Sequence, residues 1–222
     1  MKKTAIYLSL SIVLLLLSLI AYDYFNKRYL YIKTSNNSQL IRNARIIPMD
    51  RDTILVGQDL LIENGIITQI APSIEAPGIT IFDAKGQYLM PGLIDMHIHL
   101  WDRYELGLYL SSGVTTVRSL WGLPIHLRIK NDLKNKNLIG PNFFASGPKL
   151  TGPDFMGDDN LQVSSPEEGR KLVQKFHDQG YDLIKTYYGI TPEIFEAVVT
   201  KAAEVNMDVA AHPSPKIPYK NH

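Results

Sequence analysis

The sequence predicts an α/β protein: an apolar N-terminal helix, a strand-rich segment, and then a parallel sheet with helices packed on it. Three observations lead there. An uncharged stretch from Thr4 to Tyr22 follows Lys2 and Lys3. Short apolar, β-branched runs fill residues 40–88. From Pro91 onward, apolar strands alternate with helical patterns, which is the rhythm of βαβ units.

The first 22 residues are the compositional outlier. Ile12-Val13-Leu14-Leu15-Leu16-Leu17 sits at the centre of a stretch about as long as a bilayer core is thick. A secretory signal is the competing reading. Its h-region would be shorter, and Leu19 and Ala21 make a poor cleavage site. A signal anchor over residues 1–22 is therefore expected, with residues 4–22 in the membrane. The alternative is secretion after signal cleavage. Lys2 and Lys3 favour an inside N-terminus and an extracytoplasmic body, although Lys27, Arg28 and Lys33 flank the other side. Residues 23–38 read as a polar linker ending in Ser35-Asn36-Asn37-Ser38.

A chain of 222 residues, 45% hydrophobic and 20% charged, can bury a globular core. Its net charge of +1 gives no nucleic-acid footprint. The absence of cysteine excludes disulfides, thiolate metal sites and a cysteine nucleophile.

Residues 39–90 read as part of a small β-sandwich. Leu60-Leu61-Ile62-Glu63 and Ile66-Ile67-Thr68-Gln69-Ile70 flank Asn64-Gly65, a two-residue hairpin turn whose positions both need positive φ. Ile41, Ala44, Ile46 and Ile47 suggest a preceding strand, and Thr80-Ile81-Phe82-Asp83 a following one. A free-standing β domain is the alternative, but so few half-buried strands are marginal alone.

Residues 91–222 carry the β/α rhythm. Leu93-Ile94-Asp95-Met96 is a strand, and a helix over Arg103–Ser112 stops at Gly113. Val114-Thr115-Thr116-Val117, Phe143-Phe144-Ala145, Asp182-Leu183-Ile184-Lys185-Thr186 and Met207-Asp208-Val209-Ala210-Ala211 are further strands. Pro124–Lys134 suits a helix. Ser165-Pro166-Glu167-Glu168 forms a full capping box for the next, and Thr191-Pro192-Glu193 caps another. An open doubly wound sheet is the alternative, but no glycine-rich phosphate turn follows the first strand. The reading is a partial (β/α)8 TIM barrel of about five units.

His97-Ile98-His99 ends the first of these strands. Residues i and i+2 on a strand share a face, so both imidazoles point the same way, at the barrel rim where active sites are built. Neutral imidazole is a common metal ligand. A bare H-x-H means little, but here it sits in Pro91-Gly92-Leu93-Ile94-Asp95-Met96-His97-Ile98-His99-Leu100, directly after the β-rich segment. His126, His177 and His222 lack such a context and are expected to be solvated.

On this motif, on Gly113-Val114-Thr115-Thr116-Val117-Arg118, and on Ser146-Gly147-Pro148 and Ile184-Lys185, the chain from about Leu40 to His212 resembles the amidohydrolase superfamily. The likeness is to its imidazolonepropionase-like and prolidase-like members. It implies a hydrolase acting on amide-like C–N bonds of a small-molecule or peptide-like substrate, with one or two divalent ions, usually zinc. His97 and His99 would hold the more buried ion. Lys185, as an N6-carboxylated lysine, would bridge both ions, and His212 would serve the second. Arg118 and Tyr188 lie at rim positions and are candidate substrate contacts, with structural roles as the alternative.

The resemblance also calls for a histidine ending strand six and a proton-shuttling aspartate ending strand eight. Residues 91–222 number 132, against about 250 in a full barrel. The tail Pro213–His222 carries three prolines and is not expected to begin a helix. No catalytic residue is therefore assigned. The chain is expected to be a C-terminally truncated amidohydrolase, catalytically incomplete, whose open sheet edge favours oligomerisation. The alternative is a non-catalytic, membrane-tethered fragment or interaction module.

Overall fold

The computed structural model describes residues 2–29, 38–154, 161–213 and 217. Half of the expected linker (residues 30–37), the tail beyond Pro213 apart from Ile217, and with it His222 lie outside them. The described part is α/β with parallel sheets, as expected, and divides into two compact units, residues 32–92 and residues 1–31 with 93–222.

Helix α1 (Lys2–Tyr29) runs seven residues past the expected end at Tyr22, into the sequence read as linker. Its stretch Ile6–Asp23 has a mean hydropathy of 2.1 and none of it is buried. By length and composition this helix can cross a membrane; a signal sequence shares both properties.

The unit of residues 32–92 is one sheet. Strands β1 (Gln39–Ile46), β2 (Leu55–Glu63), β3 (Ile66–Ala71) and β4 (Thr80–Asp83) lie in the order β3-β2-β1-β4, and β5 (Tyr88–Leu89) pairs with the far end of β1. The β2–β3 hairpin turns on Asn64 (φ 53°) and Gly65 (φ 81°), the positive angles that this dipeptide was expected to adopt. Asp59 is buried and accepts from the backbone N–H groups of Asn43 and Ile74, at 2.9 and 3.2 Å. This carboxylate ties the irregular register of β1 to the loop after β3, because buried backbone donors need partners.

The other unit carries the β/α repeat. In chain order it comprises β6 (Leu93–Ile98), α2 (Glu105–Ser111), β7 (Val114–Ser119), α3 (Pro124–Lys134), β8 (Asn142–Ala145), β9 (Leu150–Thr151), β10 (Leu161–Gln162), α4 (Pro166–Gln179), β11 (Leu183–Thr186), α5 (Pro192–Glu204) and β12 (Asp208–Ala211). Strands β6-β7-β8 pair in parallel, as do β11 and β12, and a parallel bridge from Ser146 to Leu183 joins the two groups. The five expected strands thus lie side by side in chain order. The short strands β9 and β10 were not expected from the sequence; they extend the sheet from β11. Ile98, Leu106, Val117, Phe143, Val173, Phe176, Ile184 and Val198 belong to the buried core.

Local chemistry sets the helix ends. Helix α2 starts two residues later than expected because the Glu105 carboxylate accepts from the N–H groups of Trp101 and Asp102 and holds that segment in a turn. At α4, Ser165 caps the Glu168 N–H at 3.2 Å. The Glu168 carboxylate accepts from Ser164 rather than from Ser165 itself, so the expected capping box closes one residue early. Gly180, at φ 89°, ends the helix.

One expectation fails. His126 is fully buried, not solvated. Its Nδ1 accepts the Leu123 N–H at 3.2 Å, so Nε2 carries the proton that bonds the Leu100 carbonyl at 2.9 Å. The ring caps α3 and ties it to the residue just after His99. A lone histidine on a helix looks solvated in sequence because such a tertiary acceptor is invisible there. His177 is exposed, as expected.

Replacing Ser165 by Ala is expected to cost about 1 kcal/mol by urea denaturation, with Ser165→Gly costing only a few tenths. Equal losses in both variants would show that the hydroxyl is not acting as a cap.

Candidate metal centre

The candidate centre is built at the C-terminal ends of the parallel strands. Strand β6 turns Ile98 into the core, so His97 and His99 face the other way, with ring centroids 5.5 Å apart. Strand β11 carries Lys185, which is 3% exposed. His212 follows β12, where its backbone N–H continues the ladder to Thr186. The Lys185 Nζ and His212 Nδ1 stand 3.2 Å apart. Two of the four expected ligands are thus paired directly, and the other two flank Ile98 at the end of β6.

As they stand, no three His, Asp or Glu side chains among the described residues close around a common point. Electrostatics gives part of the reason. Burial lowers the affinity of His97 for a proton, and the charges of Lys185 and Arg118 lower it further, against Asp95 alone in the other direction. His99 is lowered by burial, His97, Lys149 and Lys185, and His212 by burial and then by Lys185 and His97. Burial, then Arg118 and Lys149, pulls Lys185 from 10.5 down to about 8. Neutral imidazoles keep a lone pair for a cation, and a depressed amine is partly unprotonated near neutrality. In donor type the set fits a divalent ion. What it lacks is anionic charge.

The two candidate substrate contacts differ. Arg118, on β7, donates from Nε to the Met96 carbonyl at 2.8 Å. That contact braces the end of β6 beside His97. Tyr188 is 40% exposed and packs its ring 5.2 Å from His212, at the open side of the centre.

Sequence reading missed the wall behind the ligands. Lys149 is almost fully buried, its Nζ 2.9 Å from the centre of the Trp121 ring and 4.6 Å from that of Tyr187. Trp121 lies 5.1 Å from His99, and Tyr187 4.6 Å from His212. This caged cation joins the two halves of the centre. The Trp121 Nε1 is shielded and has no hydrogen-bond partner among the described residues. A sequence signal existed. Lys149 directly follows Ser146-Gly147-Pro148, and Tyr187 follows Lys185-Thr186, so both sit at the ends of strands already read as rim-forming.

No family model matches the chain. Over 63 residues the chain is 41% identical to a dihydroorotase of Carboxydothermus hydrogenoformans, covering 28% of this chain and 14% of that protein. A dihydroorotase of Pediococcus pentosaceus is 44% identical over the same length, with the same coverage. Among solved structures, a protein described as a prolidase from Bifidobacterium longum matches with a TM-score of 0.73 at 28% identity, over 81% of this chain and 50% of that one. A Xaa-Pro dipeptidase solved with methionine in its active site matches with a TM-score of 0.69 over 79% of this chain and 56% of that one; at 22% identity that likeness is one of fold. The chain therefore spans about half the length of these solved structures, and its matched segment is a small part of the curated relatives. Sequence identity to dihydroorotases over 63 residues, the match to the Bifidobacterium protein and the parallel β/α architecture agree: the chain is similar to amidohydrolase- and prolidase-like proteins.

Proposed function

We propose that this chain supplies the first five β/α units of a (β/α)8 barrel in a metal-dependent hydrolase that acts on amide-like C–N bonds of small or peptide-like substrates. The observation that carries the reading is the meeting of Lys185 with His212 beside the His97–His99 pair, at the ends of parallel strands. The dihydroorotase and prolidase relatives support the reaction class.

His97, His99 and His212 would hold one or two divalent ions, zinc being the best fit to imidazole donors. A bound ion of this kind polarises a carbonyl and acidifies a water molecule. Lys185 is suited to supply the missing negative charge. Its unprotonated amine can add to carbon dioxide, the nitrogen lone pair forming the N–C bond as a proton leaves, to give a carbamate. Arg118 holds the end of β6 and so keeps His97 and His99 in place. Tyr188 stands where a substrate would approach His212. Asp95 accepts from the His97 backbone N–H at 3.1 Å, so it orders the motif. No general base is assigned among these residues.

Helix α1 supports a single-pass membrane protein, and Lys2 and Lys3 at its start favour an extracytoplasmic body, the alternative being a secreted one. One observation favours a second function, a membrane-tethered interaction module. Leu93 and Ile94 on the edge strand β6 are 52% and 61% exposed, an apolar edge that could pair with another chain. The module reading predicts no zinc binding.

Zinc titration of the purified chain is expected to show binding that falls at least about tenfold in His97→Ala. Unchanged affinity would remove His97 from the ligand set. The same chain should show little hydrolysis even with zinc. Robust turnover abolished by His97→Ala would overturn the view that the site is incomplete within it.

Lys185 gives a pH test. Between about 8 and its ordinary 10.5 the folded chain binds fewer protons at this amine than the unfolded chain. Metal-free stability should therefore rise with pH across that window, by up to about 3 kcal/mol. Urea denaturation in carbon-dioxide-free buffer should show this rise, and Lys185→Met should lose it. An equal slope in the variant would assign the rise to other groups.

A further inference from the structure

The apolar stretch of α1 ends at Asp23, and what surrounds that end is not used by the proposed chemistry. The Asp23 carboxylate pairs with the Arg103 guanidinium at 3.5 Å. Around the pair lies a groove of about 520 Å³, lined among others by Tyr22, Trp101, Arg103, Tyr104 and Arg128. Trp101 is 56% exposed, Tyr104 41%, and Leu108, on the next turn of chain, 68%. Large apolar and aromatic side chains grouped this openly mark an interaction surface.

The composition selects the partner. Tryptophan and tyrosine concentrate at the headgroup level of a bilayer, where a ring can be apolar on one side and hydrated on the other. Arginine at the same depth meets lipid phosphate. The 18 residues Ile6–Asp23 rise about 27 Å as a helix, close to the thickness of a hydrocarbon core. A helix threaded that far places Tyr22 and Asp23 at the far interface, and the Arg103 contact brings the β6–α2 loop to the same level.

We propose that Trp101, Arg103, Tyr104 and Leu108 form a bilayer-docking surface that seats the β/α unit in the headgroup layer beside its own membrane helix. Trp101 also packs 6.3 Å from the His99 ring and 5.1 Å from Trp121. The rim of the candidate centre therefore lies at headgroup depth, next to lipid. This rests on the membrane reading of α1 and is independent of whether the centre hydrolyses anything.

The chain has two tryptophans, Trp101 and Trp121, which makes fluorescence a direct test. The full chain is reconstituted into phosphatidylcholine–phosphatidylglycerol vesicles containing lipids brominated either near the headgroup or near the acyl terminus. Headgroup-proximal bromine should reduce emission about twofold, and terminal bromine should do much less. Trp101→Phe should abolish most of that quenching. If this variant fails to fold, Trp121→Phe leaves Trp101 as sole reporter and should retain it. A parallel alkaline carbonate extraction separates the two claims. A chain that resists extraction but is not quenched, or is quenched equally in Trp101→Phe, overturns the docking surface while α1 still spans. A chain released by carbonate overturns both.

Discussion

Burial of Ile98 is the constraint on which the candidate centre depends. The side chain lies in the apolar core shared by the strands and the helices behind them. Side chains alternate along a strand, so sinking Ile98 on one face commits His97 and His99 to the other. A slip of one residue would bury the two imidazoles and expose the isoleucine, so the hydrophobic core enforces the register of the site. Strand β11 repeats the device with Ile184 in the core beside Lys185. Hydrogen bonding then sets depth: β12 pairs with β11 in parallel register, Lys185 opposite Ala210, which brings the following His212 within 3.2 Å of the lysine.

The resulting centre is electrostatically one-sided. Lys149, Lys185 and Arg118 press on three histidines, and Asp95 is the carboxylate that acts in the opposite sense on His97. Such crowding costs stability unless an anion or unprotonated groups relieve it. The aromatic cage of Trp121 and Tyr187 makes the buried Lys149 tolerable, because ring faces attract a cation where water cannot reach it. It also spans the distance between the His99 side and the His212 side of the centre.

Much of this was legible in the sequence because it is written in local chemistry. The Asn64-Gly65 turn, the Ser165 and Thr191 caps, the Gly180 stop and the five β/α strands all follow from backbone preferences or short-range periodicity. Two of the misreadings involve partners distant along the chain. His126 looked solvated because its acceptor, the Leu100 carbonyl, is 26 residues away. The short strand β9 forms on the edge of β11, and β10 in turn on the edge of β9. Helix α1 ran past its expected end because the polar residues after Tyr22 are no barrier to helix once the apolar turns have nucleated it.

The sequence by itself determined which residues could be ligands and that His97 and His99 share a face, because strand alternation is a property of consecutive residues. Only the tertiary structure decided that Lys185 is buried against His212, that Arg118 braces β6 rather than standing free, and that Lys149 rather than an acid fills the gap between the two sides. Burial, pairing and charge crowding arise from segments tens of residues apart, and no local pattern encodes their distance.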